Sequence, residues 1–278
     1  MGAWAIEIER RERFRFGHNW QKFLDTLDDS RITAAEGALQ EMLEVKSLEG
    51  MTFVDAGSGS GLSSLAAMRL GAKRVYSFDF DPESVACTRE LRRRHFPNSA
   101  NWVVEEGSVL DQGFLKGLGT FDIVYSWGVL HHTGQMWRAI DNISILAGVG
   151  SRLFIAIYND EGAISQAWWR VKRSYNRGIV QRSIISFVFF SWLLLRGVLI
   201  DVLVRRTSPL ARYTKHRSPR GMSFIRDVVD WLGGFPYEVA TPAAVFEHLR
   251  DMRFVLTKMN TLPRGHGNNE FVFTRYAE

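Results

Sequence analysis

Residues 53–61 read FVDAGSGSG, and a second acid, Asp79, lies in the apolar run VYSFDFD, twenty-four residues after Asp55. A strand running through a glycine-rich turn into a helix presses backbone against a ligand. The turn needs backbone freedom, and the close approach leaves no room for a Cβ atom. A carboxylate at the end of the neighbouring strand stands where a ribose would lie, so the pair describes a site for an adenosine-containing cofactor. The dinucleotide fingerprint is G-x-G-x-x-G, with a pyrophosphate on the helix N-terminus. Here Gly57, Gly59 and Gly61 give G-x-G-x-G, and Asp55, two residues ahead of Gly57, would repel a pyrophosphate but pair with a cationic amine. A cofactor with a positive, methionine-like end and an adenosine end fits both carboxylates.

A second set of reactive residues follows the run FDIVYSWGVLHH at 121–132. His131 and His132 are the candidates for a general base, because imidazole titrates near neutrality; either serves equally well as a cap on the helix that follows. Tyr158, followed by Asn159 and Asp160 at the end of another apolar run, is placed to line an acceptor or to pack a strand end. Asn159 and Asp160 alone make a weak metal claim, and no Cys/His cluster has metal-site spacing, so no metal is expected. The single cysteine, Cys87, excludes an internal disulfide framework and reads as a packed thiol in a helix.

The stretch from about 50 to 160 resembles the cofactor-binding half of class I S-adenosylmethionine-dependent methyltransferases. VDAGSGSG forms its first motif, Asp79 the second, EEGSVLD at 105–111 the third and FDIVYSWGVLHH the fourth. The resemblance implies S-adenosylmethionine as cofactor. Asp55, Gly57, Ser58, Gly59 and Gly61 would hold its methionine end, Asp79 with Phe80 the ribose side, and Ser108 and Val109 the adenine edge. Ser126, Trp127 and Gly128 would lie nearest the sulfonium. The third motif often has an acid where this chain has Ser108. FGHNW, SWGVLHHTG, IAIYND and the segment RGMSFIRDVVDWLGGFPYEVATP at 220–242 look like elements shared by a group of bacterial methyltransferases, which would extend the resemblance over nearly the whole chain. Methylases of base amino groups usually carry an Asn/Asp-Pro-Pro-aromatic tetrapeptide where this chain has SWGV, and carbon-5 pyrimidine methylases need a Pro-Cys nucleophile. Neither is present, and no RNA-binding module is evident, so a nucleic-acid substrate is disfavoured.

These residues need a framework to position them. With 278 residues, 46% of them hydrophobic, the chain can bury a full core. Apolar runs at about 51–56, 74–80, 101–105, 121–126 and 152–158 read as strands buried on both faces, with helical patterns at 62–70, 83–95 and 136–146 between them. The alternation predicts an α/β, doubly wound, Rossmann-like sheet, mostly parallel. The runs 254–260 and 269–276 read as a closing hairpin, completing a seven-stranded sheet with an antiparallel last strand. The expected organisation is an N-terminal helical arm at 1–46, a cofactor-binding core at 47–160, a helical insertion at 161–250 and the hairpin at 251–278. Phe16, Trp20 and Phe23 in the arm either cover the cofactor or pack the arm on the sheet. No apolar leader is visible in MGAWAIEIERRER, so the default location is the cytoplasm.

The insertion carries its own signal. Residues 170–226 hold thirteen Lys and Arg against one acid, Asp201, in a chain whose net charge is only +5. Within it SIISFVFFSWLLL at 183–195 is uncharged and shorter than the roughly twenty residues of a membrane span. Read as a helix from Arg182 to Val204, it gathers Arg182, Ser186, Arg196 and Gly197 on one narrow side and leaves a wide apolar face. That face packs on the core or a second subunit through 183–204, lies in an anionic membrane interface at the inner face of the membrane, or helps form a groove for an anionic substrate. Arg220, Asp230, Trp231 and Glu238 are either pocket groups or braces of a lid, and His266, Asn268 and Asn269 serve the hairpin turn.

The favoured reading is methyl transfer to a small-molecule or lipid- or glycan-linked acceptor, through oxygen, nitrogen or carbon. The alternatives are a non-catalytic protein that binds S-adenosylmethionine and presents the insertion to a partner, and a nicotinamide-dependent oxidoreductase, which would need room for a pyrophosphate.

Overall fold

The computed structural model describes residues 3–10, 13–199, 224–262 and 267–277. The N-terminal arm comprises α1 (Ala3–Glu9), α2 (Phe16–Leu24) and α3 (Asp29–Leu43). The core follows as β1 (Thr52–Ala56), α4 (Leu62–Arg69), β2 (Arg74–Asp79), α5 (Pro82–His95), β3 (Trp102–Glu106), α6 (Gln112–Leu118), β4 (Phe121–Trp127), α7 (Met136–Ser144) and β5 (Ala147–Tyr158). Then come α8 (Ala163–Tyr175), α9 (Ile179–Leu199), α10 (Phe224–Gly233), α11 (Pro242–Asp251), β6 (Phe254–Asn260) and β7 (Asn268–Arg275).

The seven strands form one sheet in the order β3-β2-β1-β4-β5-β7-β6. The first five are mutually parallel and β7 runs antiparallel to both its neighbours, as the doubly wound reading requires. The chain winds outward in opposite directions from β1 and β4, so a crevice opens beyond their carboxyl ends, where such sheets bind ligands. One apolar layer, including Phe23, Leu39, Leu65 and Leu91, covers one face of the sheet. The other face is covered by Leu115, Ile140, Ile143 and Leu249. A third, smaller cluster gathers Phe14, Tyr175 and Leu232 with Trp168, Phe189 and Trp231, joining the arm to α8, α9 and α10.

Local chemistry explains most boundaries. Asp81 caps α5 by accepting from the amide of Glu83, with Pro82 in the first turn, where the missing N–H costs nothing. Asp28 does the same for α3 through Arg31 N, which is why the helical arm expected at 1–46 has a break between α2 and α3. The pattern at 112–118 gave no helix signal because Gly113 and Gly117 interrupt a short segment, yet Asp111 caps α6 through Phe114 N. The strand expected at 152–158 starts earlier: Phe121 pairs with Ala147, after which the register shifts so that Ile123 pairs with Arg152. Within the expected insertion, α11 buries Val245 and Leu249 in the sheet layer. Of the helix expected at 182–204, residues 200–204 lie outside the described residues.

Candidate functional site

The glycine turn is fixed from below by strand β2. The amides of Gly57 and Ser58 both donate to the carbonyl of Phe78, at 2.8 and 3.1 Å. Gly57 has φ +86, and a Cβ there would stand 2.4 Å from a Val129 methyl, so no larger residue fits. Gly59 lies under Trp20, whose Nε1 is 3.1 Å from the position a Cβ would take.

Two carboxylates flank this turn. Asp55, at the end of β1 and 2% exposed, accepts a hydrogen bond from Ser64 Oγ at 2.5 Å. Burial pushes its carboxyl up to about 7, against the opposing pull of Ser64 and with help from the neighbouring charge of Asp79. Asp79 accepts from Gly59 N and Asp81 N, each at 2.9 Å. Burial raises it to about 6, while those two amides and the more distant Arg13 hold it down. A buried and a half-buried acid, with no ion pair to either among the described residues, suit a cationic ligand, and each Asp79 oxygen, with one amide bond made, keeps capacity for a hydroxyl donor. The residues therefore fit a cofactor with an amino group, a sulfonium and a ribose.

Asp55, Gly57, Ser58, Gly59, Asp79, Phe80, Ser108, Val109, Trp127, Gly128, His132 and Tyr158 all line one cavity of about 1540 Å³. Three expected site residues do not line it. Gly61 lies behind the turn at the start of α4, facing Thr88. Ser126 is fully buried and donates to the carbonyl of Ala56 at 2.8 Å. His131 is fully buried beneath Tyr158, ring centroids 4.0 Å apart, and its Nδ1 accepts from Tyr158 N at 3.4 Å. Its surroundings correct the expectation of a base: burial and the nearby His132 and Lys172 hold it neutral, and it lies behind the cavity-lining rings of Tyr158 and His132.

His132 does reach the cavity, but the premise that it titrates near neutrality fails. Burial, Lys172 and Arg13 lower it to about 3, with only the bond to Pro236 O opposing. That carbonyl lies 2.7 Å from Nδ1, so Nδ1 carries the proton and Nε2 the lone pair.

Of the three arm aromatics, Phe16 and Trp20 line the cavity, and Phe23 points into the sheet layer instead. Asp81, the α5 cap, also accepts from Gly17 N at 2.8 Å, and Arg15 pairs with Glu83. Arg13, which the sequence offered no means of selecting, donates to His132 O at 3.0 Å and holds its guanidinium 5.1 Å from the centre of the Phe80 ring. The thiol of Cys87 packs against the Gly17 carbonyl, and burial raises it to about 12.

The opposite wall is built by strand register. Trp127, Ala156 and Glu270 lie in one row across β4, β5 and β7, and Tyr158 pairs with Asn268 two residues along. With side chains alternating between faces, Trp127, Tyr158, Asn268 and Glu270 fall on the same side. Glu270 accepts from Trp127 Nε1 at 2.6 Å and Asn260 Nδ2 at 3.0 Å, and a buried Asn268 Oδ1 has no partner among the described residues. Asn268 and Glu270 line the cavity, so Asn268 does more than serve the turn. Asn269 keeps that role, bonding Leu262 N and the side chain of Asn159. Trp168, Phe189, Trp192 and Trp231 complete the wall from the insertion. Glu238 instead caps α7 through Met136 N, Asp230 lies on α10, and Arg220 and His266 lie outside the described residues. Among the described residues no three His, Cys, Asp or Glu converge as metal ligands.

Comparison with known proteins bears on this geometry. The family described as "Methyltransferase domain" matches residues 54–155. A ribosomal protein L11 methyltransferase from Alteromonas mediterranea is 48% identical over 48 residues, 17% of this chain and 16% of that protein. Its counterpart from Tolumonas auensis is 40% identical over 55 residues, 20% and 19% of the two chains. The chain thus matches under a fifth of the length of these relatives. Among solved structures, magnesium protoporphyrin IX methyltransferase from Synechocystis, with bound S-adenosylhomocysteine, is 14% identical with a TM-score of 0.52, covering 88% of this chain and 83% of that one. A methyltransferase in complex with the Trm112 activator of Haloferax volcanii gives a TM-score of 0.53 at 14% identity, covering 95% and 99%. These structures share the fold. With its glycine turn and carboxylate pair set at the switch point of a 3-2-1-4-5-7-6 sheet, the chain carries a class I S-adenosylmethionine-dependent methyltransferase domain.

Proposed function

We propose that the chain transfers a methyl group from S-adenosylmethionine to a small-molecule or lipid- or glycan-linked acceptor, at an oxygen, nitrogen or carbon nucleophile. The observation that carries this reading is continuity: one cavity runs from the glycine turn and its two carboxylates to the aromatic wall of Tyr158, Trp168 and Trp231. When bound, the cofactor supplies an electrophilic methyl on a sulfonium. Asp55 anchors one end of it and Asp79 the other, while Trp20 and Phe16 close the mouth against water. The chain's remaining task is to hold a nucleophile about 3 Å from that carbon and in line with the breaking bond, which supplies much of the rate.

An acceptor hydroxyl or amine must also lose a proton. Tyr158 and His132 border the acceptor side, with the His132 lone pair on Nε2, and His131 positions the Tyr158 ring from beneath. Glu270 adds a carboxylate on the same face. This polar row set in aromatic surroundings suits an acceptor with an apolar body and one or two hydrogen-bonding groups. A nicotinamide cofactor fits poorly, because Asp55 stands where its pyrophosphate would lie. The relatives named for ribosomal protein L11 raise a protein acceptor, but so short a match carries no information about the acceptor side.

The test is titration calorimetry of the purified chain with S-adenosylmethionine, S-adenosylhomocysteine and NADH in parallel, followed by a labelled-methyl screen of lipid, glycan and protein fractions. Binding of the first two alone, with label in a lipid or glycan fraction, is expected. Binding of NADH alone would sink the reading. Cofactor binding with no labelled product in any fraction would favour the non-catalytic alternative, and label confined to protein would move the acceptor class.

A further inference from the structure

Helix α9 is long, apolar and little buried. Its most hydrophobic 18-residue window has a mean hydropathy of 1.6 and is only 6% buried, so by length and composition it passes as a membrane span. Its attachments argue against spanning. Phe189 packs against Trp168 and Trp231, with ring centroids 5.8 and 5.5 Å apart, and Gly197 is buried, so the helix is held lengthwise along the protein. Its inner side lines the cavity with Phe189, Leu193 and Arg196. At about 100° per residue, the outward residues Ile184, Phe187, Val188, Leu194 and Leu195 occupy an arc of roughly 120°. Phe187 is 75% exposed and Leu195 61%.

Charge indicates what covers this arc. Between residues 162 and 199 there are six Lys and Arg and no Asp or Glu. Arg170, Arg173 and Arg177, on or just after α8, are exposed; Arg182 and Arg196, towards the ends of α9, are exposed on the side of that helix turned away from the arc. A second copy packed face to face on this helix would bring two such sets of arginines together. An anionic bilayer accepts both features at once: the apolar arc enters the acyl boundary while the long side chains of Arg170, Arg173 and Arg177 reach the headgroups. Trp192, 49% exposed at the margin between the outer arc and the cavity, has the amphipathic character suited to the level of the headgroups.

We propose that α9 docks the chain in the plane of an anionic membrane surface. Resting on the methyl-transfer reading, the acceptor is then a membrane-borne amphiphile that reaches the cavity along the inner side of the same helix. The expected cytoplasmic location becomes, on this proposal, the inner membrane face.

The test is flotation of the full chain with phosphatidylcholine vesicles, with and without phosphatidylglycerol, alongside sedimentation velocity without lipid. Neither Phe187 nor Leu195 lines the cavity, so the double variant Phe187→Glu/Leu195→Glu should keep its S-adenosylmethionine titration unchanged. The wild type should float with the phosphatidylglycerol vesicles, less so as salt is added, and the double variant should partition at least about tenfold more weakly. No flotation, flotation that ignores the double variant, or a wild-type dimer that the variant converts to monomer without any vesicle binding would each overturn the proposal, the last by making a second copy the occupant. Because flotation needs no cofactor, a chain that floats but fails to bind S-adenosylmethionine would keep the surface and lose the methyl-transfer reading. Label appearing in the water-soluble fraction and none in lipid would overturn the acceptor assignment alone.

Discussion

Replacing Asp55 with Asn separates what the site costs the fold from what it gives the ligand. The Asp55 carboxyl ionises at about 7 in the folded chain against an ordinary 3.8, so at 1.36 kcal/mol per pH unit its buried charge costs about 4 kcal/mol above neutrality. The folded state holds the extra proton, so this group makes stability fall as pH rises from about 4 to about 7 and then level off. Asn is neutral and nearly isosteric, and its Oδ1 can still accept from Ser64 Oγ. The variant should match the wild type near pH 4 and exceed it by about 2–4 kcal/mol near pH 8. Its affinity for S-adenosylmethionine should fall by roughly 10- to 150-fold, because a hydrogen bond to a charged group is worth about 1.5–3 kcal/mol. Urea unfolding at the two pH values and calorimetric titration at the higher one read both effects. Equal stability of the two proteins near pH 8, or an unchanged affinity, would refute the claim that Asp55 is a buried charge awaiting a cationic partner.

The same linkage gives the wild type a signature: cofactor binding should release protons below about pH 7 and tighten as pH rises towards 7, seen as a buffer-dependent binding enthalpy. Gly57→Ala should weaken S-adenosylmethionine binding by at least about tenfold, since it adds a strained positive φ to a methyl contact with Val129, and adding Val129→Ala should recover only part of that loss. Trp20→Ala should weaken binding about 2- to 10-fold, in line with the roughly 0.5–1.5 kcal/mol of an aromatic contact, with little effect on the fold. At saturating methyl donor, kcat should show no imidazole inflection between about pH 6 and 7.5, because His132 stays neutral there; an inflection that disappears in His132→Asn would overturn its placement.

The cofactor half of the site was legible because it is written in backbone requirements and strand ends. A glycine turn, an acid at each of two strand ends and an apolar-run pattern locate Asp55, Gly57, Gly59 and Asp79 without any knowledge of side-chain packing. The same logic misplaces Ser126 and Gly61: both belong to the motifs, but one points into the layer beside Ala56 and the other behind the turn, and sequence position does not carry that half-turn of direction. His131 and His132 are adjacent and chemically identical, yet only His132 reaches the cavity. Burial lowers both, and Lys172, remote in sequence, lowers them further.

The acceptor half resisted reading for a different reason. Its wall is drawn from β4, β5, β7 and the insertion, so no single window of sequence contains it. One piece was recoverable in principle: with β7 read as a strand, alternation puts Asn268 and Glu270 opposite Phe271 and Phe273, on the face Tyr158 already occupies, and the apolar pair defines which face is core. The insertion carries no such periodic constraint. Phe189 and Leu193 differ from Phe187 and Leu195 in nothing but phase along one helix, yet the first pair lines the cavity and the second meets solvent. A helix with apolar residues on both sides has two partners to satisfy; here one is the cavity, and in the membrane-docking proposal an anionic surface is the other.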